Sequence, residues 1–520
     1  MAYGTPIPFT DWRPDGDRRF PGIVLDLDGF MPTERGLRTL PSFRLIEDAT
    51  LPSASLGAYT ATLPNGSHMI VVGTSSHLYK LRGSTWVEFD DDQTFSTSRR
   101  WSFTTFGTDI IAANGVDVQL SRSGLPFRPI EDYSVVSLAY PVPKLSYVES
   151  VGEGVFGVIA SSNEWVFVSP IFGPGGDTYS WIADIATETV YGQLTASPGP
   201  ITAVHAIRGG IVMYKERSMY FGQFSGPPFY WSFQIISKNI GTPADECVVN
   251  SLDQHLFPSR DNFYQFDGAS LSPIQNSLAE SFFRDTPAAQ ITRMIGRYTQ
   301  TTSLAEWYYN SGTARADLTL PLNTALIYNT RVERWSKRTF SDSDGNRIGV
   351  TDILSPAFLA GPSLTYREIG ELYATYEDIP AGMTYRELCG GGEETQTVGV
   401  ITDQGQLAIA DGASIGGFLL TGEIGDGSMF IQANRARPIF AQWPSDNWSR
   451  LYSYFRLANG YPIPDPGPFP LPGVGPVADL TRDGCFCFIT TGRALQFRIE
   501  VSGQAEITAM ALDAVGAGSD

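Results

Sequence analysis

Apolar pairs, separated by short polar stretches, recur along this chain. Val71-Val72 is followed by Gly73-Thr74-Ser75-Ser76-His77 and then by Leu78-Tyr79. Leu256-Phe257 is followed in the same register by Pro258 to Asn262 and Phe263-Tyr264. Val158-Ile159 with Trp165-Val166, Val212-Met213 with Met219-Tyr220, and Val400-Ile401 with Leu407-Ala408 fit the pattern, and Ile110-Ile111-Ala112-Ala113-Asn114-Gly115-Val116 is a looser member. Each copy predicts a strand, a tight polar turn and a second strand, which is a β-hairpin.

Copies start near residues 71, 110, 158, 212 and 256. That spacing is close to the ~40–50 residues of one four-stranded propeller blade. The continuation repeats as well. Tyr79 to Phe89 aligns with Tyr264 to Ile274, each with Tyr first and Gly fifth, and Tyr328 and Trp335 keep the offset of Tyr79 and Trp86. A Gly between apolar strand ends suits a hairpin position with positive φ. The expected fold is all-β: a propeller-like repeat domain of about six to eight irregular blades, with a C-terminal region resembling a β-sandwich. A single large β-sandwich with similar hairpins is the alternative.

Three regions are expected. Residues 1–50 read as an extended, Pro- and charge-rich arm. Residues 51–420 read as the propeller-like platform, disturbed around 280–320 and 340–395. Residues 421–520 read as a β domain with longer strands, Met429 to Ala433 and Leu495 to Val501 among them, and a Pro-rich projecting loop at 461–477. Proline has no N–H for a ladder, so that loop is no central strand. Helical spacing is clearest from Asn276 to Tyr298, with Pro287 expected to split it. Gly390-Gly391-Gly392-Glu393-Glu394-Thr395 reads as a loop.

The chain has 520 residues, 42 % of them hydrophobic, and a net charge of −19. Proteins that grip DNA phosphates do so with Lys and Arg, so tight nucleic-acid binding is not expected. An acidic wall would instead let a duplex slide past. Arg331, Arg334, Lys337 and Arg338, beside Trp335, form the one basic cluster able to act otherwise. The N-terminus lacks the basic and apolar regions of a secretion signal, and no apolar run is long enough to span a bilayer.

No catalytic, cofactor-binding or metal-ligating residue is assigned, and an enzyme is not expected. Ile23-Val24-Leu25-Asp26-Leu27-Asp28-Gly29-Phe30 resembles the first motif of haloacid dehalogenase-like phosphotransferases, in which paired aspartates work with Mg²⁺. Phe30 departs from that motif, and the strand–helix alternation of a doubly wound sheet is missing around it. Asp342-Ser343-Asp344-Gly345-Asn346 begins like a calcium loop but reads as a turn, and Glu88 to Asp92 reads as a solvated acidic turn. Cys485 and Cys487 flank Phe486 and are expected on one strand face as buried thiols. With Cys247 and Cys389 they make no disulfide framework. His68, His77, His205 and His255 have no partner at metal-ligand spacing. Trp165 is expected in the core and not in a ligand site.

The order of these features resembles the tail hub or nozzle proteins of short-tailed bacteriophages, also called packaged-DNA stabilisation proteins. The likeness lies in Trp12-Arg13-Pro14-Asp15, in hairpins such as Ile110 to Gly115, and in Gly157-Val158-Ile159 with Glu164 to Phe167. It continues through Ile211 to Tyr214, Lys238 to Thr242, Phe263 to Gly268, Arg437-Pro438-Ile439 and Gly492 to Ile499. The resemblance is diffuse and has no counterpart for 340–395. It implies a structural virion protein, made in the host cytoplasm and not secreted. Such a protein would form a closed homo-oligomeric ring, by resemblance a hexamer, below the portal and its adaptor protein. It would retain packaged DNA, allow ejection, and carry tail fibres or tailspikes. The duplex would pass an acidic channel without tight binding, and no cofactor is implied. Five lysines against 31 arginines suit planar carboxylate contacts between subunits. The alternative is a carbohydrate-binding or carbohydrate-cleaving propeller, such as a phage depolymerase.

Overall fold

Each apolar pair in the sequence belongs to a strand that is buried on both faces. In a computed structural model of the chain, Val71 packs toward one neighbouring sheet and Val72 toward the other. Ile110 and Ile111, Met213 and Val212, Leu256 and Phe257, and Val400 and Ile401 divide in the same way. Successive side chains on a strand point to opposite faces. A sheet sandwiched between two others therefore needs apolar residues at adjacent positions.

The structure describes the chain except residues 1–3, 5, 10–11, 21, 65–67, 172–177, 228, 252, 312–319, 359–395, 426–428, 444–446, 458–470 and 517–520. Cys389, the Gly-rich segment 390–395 and most of the Pro-rich run lie outside the described residues.

Seven four-stranded antiparallel sheets follow one another as blades. Their innermost strands are Ala58–Thr62, Ser102–Phe106, Leu145–Val151, Ile201–Ile207, Val249–Asn250, Ile295–Thr299 and Val350–Phe358. Blade seven packs against blade one, which closes the ring, and a separate apolar core fills each of the seven interfaces between neighbours. The domain is a seven-bladed β-propeller. Its seventh blade is composite: Val350–Phe358, Gln396–Thr402 and Gln406–Gly412 take their fourth strand, Ser42–Thr50, from near the N-terminus. The aligned hairpins of blades one and five turn at Gly83 and Gly268, with φ of 65° and 88°. L-residues with a Cβ avoid that region.

The last hundred residues form two sheets packed face to face. One runs Phe30–Pro32, Leu37–Thr39, Glu506–Gly516, Ile431–Gln442, Phe486–Gly492, with Ile7–Pro8 also on Glu506–Gly516. The other runs Val24–Asp28, Gly417–Thr421, Ala494–Val501, Ser449–Arg456, Gly473–Asp479. Leu419, Leu451, Phe486, Phe497, Ile499 and Ile507 lie in their common core.

The first fifty residues thus differ from the expected extended arm. They supply four strands to the sandwich and one to the propeller. The sandwich also begins earlier than residue 421, with the strand Gly417–Thr421. Charge and proline content made the arm look irregular, but its short strands Val24–Asp28 and Leu37–Thr39 bury Leu27 and Leu37 completely. The expected helix is two short ones, Ala279–Asp285 and Ala288–Ile291, divided at Pro287, and Ile295–Thr299 is a strand. Ile295 is drawn into the core between blades six and seven, which overrides the helical spacing.

Candidate functional site

The innermost strand of each blade leaves one edge of backbone groups facing the propeller axis. Buried N–H groups need acceptors, and here neighbouring blades supply them. Val148 and Ser150 of blade three donate N–H bonds to Ser102 Oγ and Thr104 Oγ1 of blade two, at 3.1 and 2.9 Å. Ala206 N of blade four donates to Glu149 Oε1 at 2.9 Å, and Val204 N donates to Asp245 Oδ1 at 2.9 Å. Side chains thus stitch the inner strands together without a continuous ladder.

Charged groups converge at the ends where the chain enters these strands. Arg100 precedes the first strand of blade two, and Asp245 and Glu246 precede that of blade five. Arg100 pairs with Asp352 at 2.9 Å and lies 3.8 Å from Glu246, and Arg297 pairs with Glu246 at 2.8 Å. Ser55 Oγ donates to Asp352 at 2.9 Å, and His205 lies 3.3 Å from Asp245. Groups from six of the seven blades, together with Ser55 just before blade one, therefore meet around the axis. Asp352 is wholly buried, whereas Arg100, Arg297, Glu246, Asp245 and His205 keep 14–36 % exposure. These five are enclosed by protein yet still reached by water, as the lining of a narrow channel would be.

Burial opposes the ionisation of Glu246, but Arg297 and then Arg100 outweigh it and hold the carboxyl at about 2. Burial pushes Glu149 the other way, to about 7, with His205 and the Ala206 N–H only partly offsetting it. Asp245 and Asp352 are also raised, first by burial. The network can hold the ring together and bridge the axis, and Glu149 can change charge near neutrality.

A second buried cluster joins blades three and four. Lys215 Nζ donates to the carbonyls of Leu194 and Ser197, both at 2.7 Å, and Ser197 Oγ lies 2.7 Å from the Tyr220 hydroxyl. A Lys–Ser–Tyr grouping suggests nucleophilic chemistry by composition. These contacts of the ammonium are to main-chain carbonyls, which makes it an anchor for the connection between the blades.

The residues singled out from sequence fall into joints. Asp26 pairs with Lys337 at 2.6 Å, and Asp28 accepts the Thr339 N–H at 2.6 Å, so both bind the arm to the outer strand of blade six. Three of the four basic residues are spent on the same joint, and the fourth, Arg338, is paired within blade six. Lys337 also lies 5.2 Å from the Trp12 ring centre, Arg334 donates to Thr33 O, Arg331 pairs with Glu34 at 3.2 Å, and buried Arg338 pairs with Glu306 at 3.3 Å. Backbone bonds from Trp12 N to Trp335 O and from Gly29 N to Lys337 O cover that strand's free edge.

Trp165 is core, tilted against Phe156 and Phe233. His77 pairs with Asp90 at 3.0 Å, His68 with Thr62, and His255 is buried between the Tyr214 hydroxyl and Ala206 O, where burial lowers it to about 3. The acidic turn is not fully solvated: Asp90 is buried and accepts the Leu78 N–H, while Asp91 pairs with Arg128. Asp342 closes a turn by accepting N–H bonds from Asp344 and Asn346. Cys485 is buried but Cys487 is exposed, because Cys485 lies before the strand Phe486–Gly492 begins and the two do not share a face. Among the described residues no group of three His, Cys, Asp or Glu is placed to hold a metal ion.

Sequence reasoning missed the axial network. Its members lie at 100, 149, 205, 245, 246, 297 and 352, some on inner strands and some just before them, and no spacing rule links them. The one available signal was a lone charge on a blade strand, as at Glu149 and Asp352.

No protein-family model matches the chain, and no curated protein matches it. Among solved structures it is similar to the Neurospora crassa Pan2 WD40 domain, at 9 % identity over 72 % of this chain and 95 % of that one, with a TM-score of 0.38. A BBS1N chain in complex with ARL6DN gives 10 % identity over 74 % and 96 %, with a TM-score of 0.39. The N-terminal domain of Nup159 gives 12 % over 77 % and 98 %, with a TM-score of 0.36. At these scores the likeness carries no argument, and the fold rests on the seven blades themselves.

Proposed function

We propose that this chain is a structural virion protein of the tail hub or nozzle kind. In this reading copies form a closed ring below the portal and its adaptor, retain the packaged genome, let it leave, and carry fibres or spikes. The observation that carries the reading is how the charged groups are used. The axial network joins blades to one another, Arg331 and Lys337 join the propeller to the arm strands of the sandwich, and Arg338 is paired inside blade six. The net charge of −19 and the sequence resemblance support the same reading. Arg100 of blade two pairs with Asp352 of blade seven and lies 3.8 Å from Glu246 of blade five, which spans the axis of a single propeller, so in this reading the DNA duct lies between copies. A map of the purified virion tail tests the proposal. It is expected to place this chain in a ring around the tail axis, and isolated spikes or an off-axis position would overturn it.

A further inference from the structure

Gln119 sits where the strand pattern asks for an apolar residue. On the third strand of blade two, Val118–Arg122, Val118 and Leu120 face the core shared with blade three, so Gln119 faces the other way, toward blade one. It pairs across the ladder with Ala112, which belongs to the core between blades one and two. The side chain is 4 % exposed, and its Oε1 has no hydrogen-bond partner among the described residues. A buried polar group left unbonded costs stability, and in a folded protein it marks strain, a water or an unfilled ligand position. Gln119 opens onto a cavity. No bond among the described residues fixes its amide, so a half-turn presents either the oxygen or the nitrogen.

The cavity holds about 340 Å³, at the lower end of the ~300–1,000 Å³ of small-molecule pockets. Three segments build it: 93–95 from the link between blades one and two, 116–119 from the turn and third strand of blade two, and Glu131, Val142 and Pro143 from the link to blade three. Its lining is mainly polar, and the polar groups left over are acceptors. Asp117 spends one oxygen on the Asn114 amide at 3.2 Å. Gln93 donates its amide N–H groups to Asp90 O and Phe127 O at 2.9 and 3.1 Å, which leaves its Oε1. Glu131 is exposed and enters no ion pair among the described residues. No Lys or Arg among the described residues lines the cavity. Of the cations near it, Arg128 pairs with Asp91, Arg99 donates to Ser161 Oγ, and exposed Lys144 follows Pro143 without entering the lining.

We propose that this cavity binds the primary ammonium end of a short aliphatic amine, with Gln119 Oε1 at its base and Asp117 and Glu131 as counter-charges. An ammonium brings a positive charge and three donors and has no acceptor, which is what the lining lacks. The methylenes would lie along Val116 and Val142. A metal ion fits less well, because Ca²⁺ takes ~6–8 oxygens and no group of three His, Cys, Asp or Glu among the described residues is placed to hold one. A quaternary ammonium has no N–H for Gln119 and is held by aromatic faces. Phe95 is the one aromatic residue of the lining, and its ring packs edge-on against Trp101. The site goes beyond the tail reading and does not depend on it.

Calorimetric titration of the full-length chain with putrescine tests the proposal, with n-butylammonium, tetramethylammonium, Ca²⁺ and Nα-acetyl-lysine methylamide as parallel probes. Saturable binding to a single site is expected for putrescine and butylammonium, and none for tetramethylammonium. Putrescine binding tighter than the lysine amide would support a free polyamine as the occupant, and the reverse order a lysine side chain at the same ammonium site. Gln119→Leu is expected to weaken binding about tenfold or more. It should also raise Tm without amine, because an apolar side chain then meets the core between blades one and two. Glu131→Gln, at an exposed position, is expected to weaken binding several-fold with Tm unchanged. The proposal is overturned if neither amine saturates, if tetramethylammonium binds as tightly as butylammonium, or if Ca²⁺ displaces putrescine at equal concentration. An affinity that Gln119→Leu or Glu131→Gln leaves unchanged would overturn it as well.

Discussion

Glu149 holds its proton more tightly in the folded chain than in the unfolded one, because burial raises its carboxyl from 4.5 to about 7. Its contribution is therefore fully present below pH 4.5 and is lost as pH rises to about 7, an erosion of roughly 3 kcal/mol. Glu149→Gln keeps an acceptor for the Ala206 N–H and removes the charge. Denaturant midpoints measured from pH 4 to 9 are expected to be flatter for the variant, which should exceed the wild type above pH 7. Coincident profiles would show that the carboxylate ionises freely. Arg338 makes the opposite case. It is buried against Glu306, whose second oxygen accepts the Tyr308 hydroxyl at 2.8 Å. Arg338→Met leaves a buried carboxylate without its cation, and about 3–5 kcal/mol of stability should be lost.

The blade strand obeys a rule that single residues do not show. Val71 and Val72 are neighbours in sequence but fill different cores, between blades one and two and between blades seven and one. Val→Ala at either site should cost about 1–3 kcal/mol. The double variant should be additive within about 0.5 kcal/mol, because no cavity is shared. Strong coupling in a denaturant series would refute the two-core account. The arm strands act at the same scale. Asp26→Asn with Asp28→Asn loosens the arm from blade six, and Tm should fall. Turnover of a generic phosphate ester with Mg²⁺ should be negligible before and after the change. A wild-type rate lost in the double variant would restore the phosphotransferase reading.

For the whole molecule, the relevant quantity is where the positive charge sits. Residues 331, 334 and 337 hold the sandwich and the propeller together, and Arg338 pairs with Glu306 inside blade six. Duplex binding measured by anisotropy is expected to be weak, without the steep fall between 50 and 200 mM salt that several phosphate contacts would produce. Changing these four to Ser should lower Tm instead of abolishing a DNA complex. Tight, salt-sensitive binding lost on that change would show a gripping protein.

The sequence by itself determined the blades. Burial on both faces is a local demand, so it appears as apolar pairs at Val71-Val72, Val212-Met213 or Leu256-Phe257, spaced by hairpins that turn at glycine. Blade six escaped this reading because its second strand, Leu304–Tyr309, carries Glu306 for Arg338 within an otherwise apolar run. Only the tertiary structure decided how the ring closes, since the pairing of Ser42–Thr50 with Gln406–Gly412 joins segments more than 350 residues apart. It also decided that residues 24–39 belong to the C-terminal sandwich, and that seven scattered charged residues meet on one axis. Those contacts are set by which strand edges and lone charges are left without partners after the blades form, and that is a property of the assembled ring.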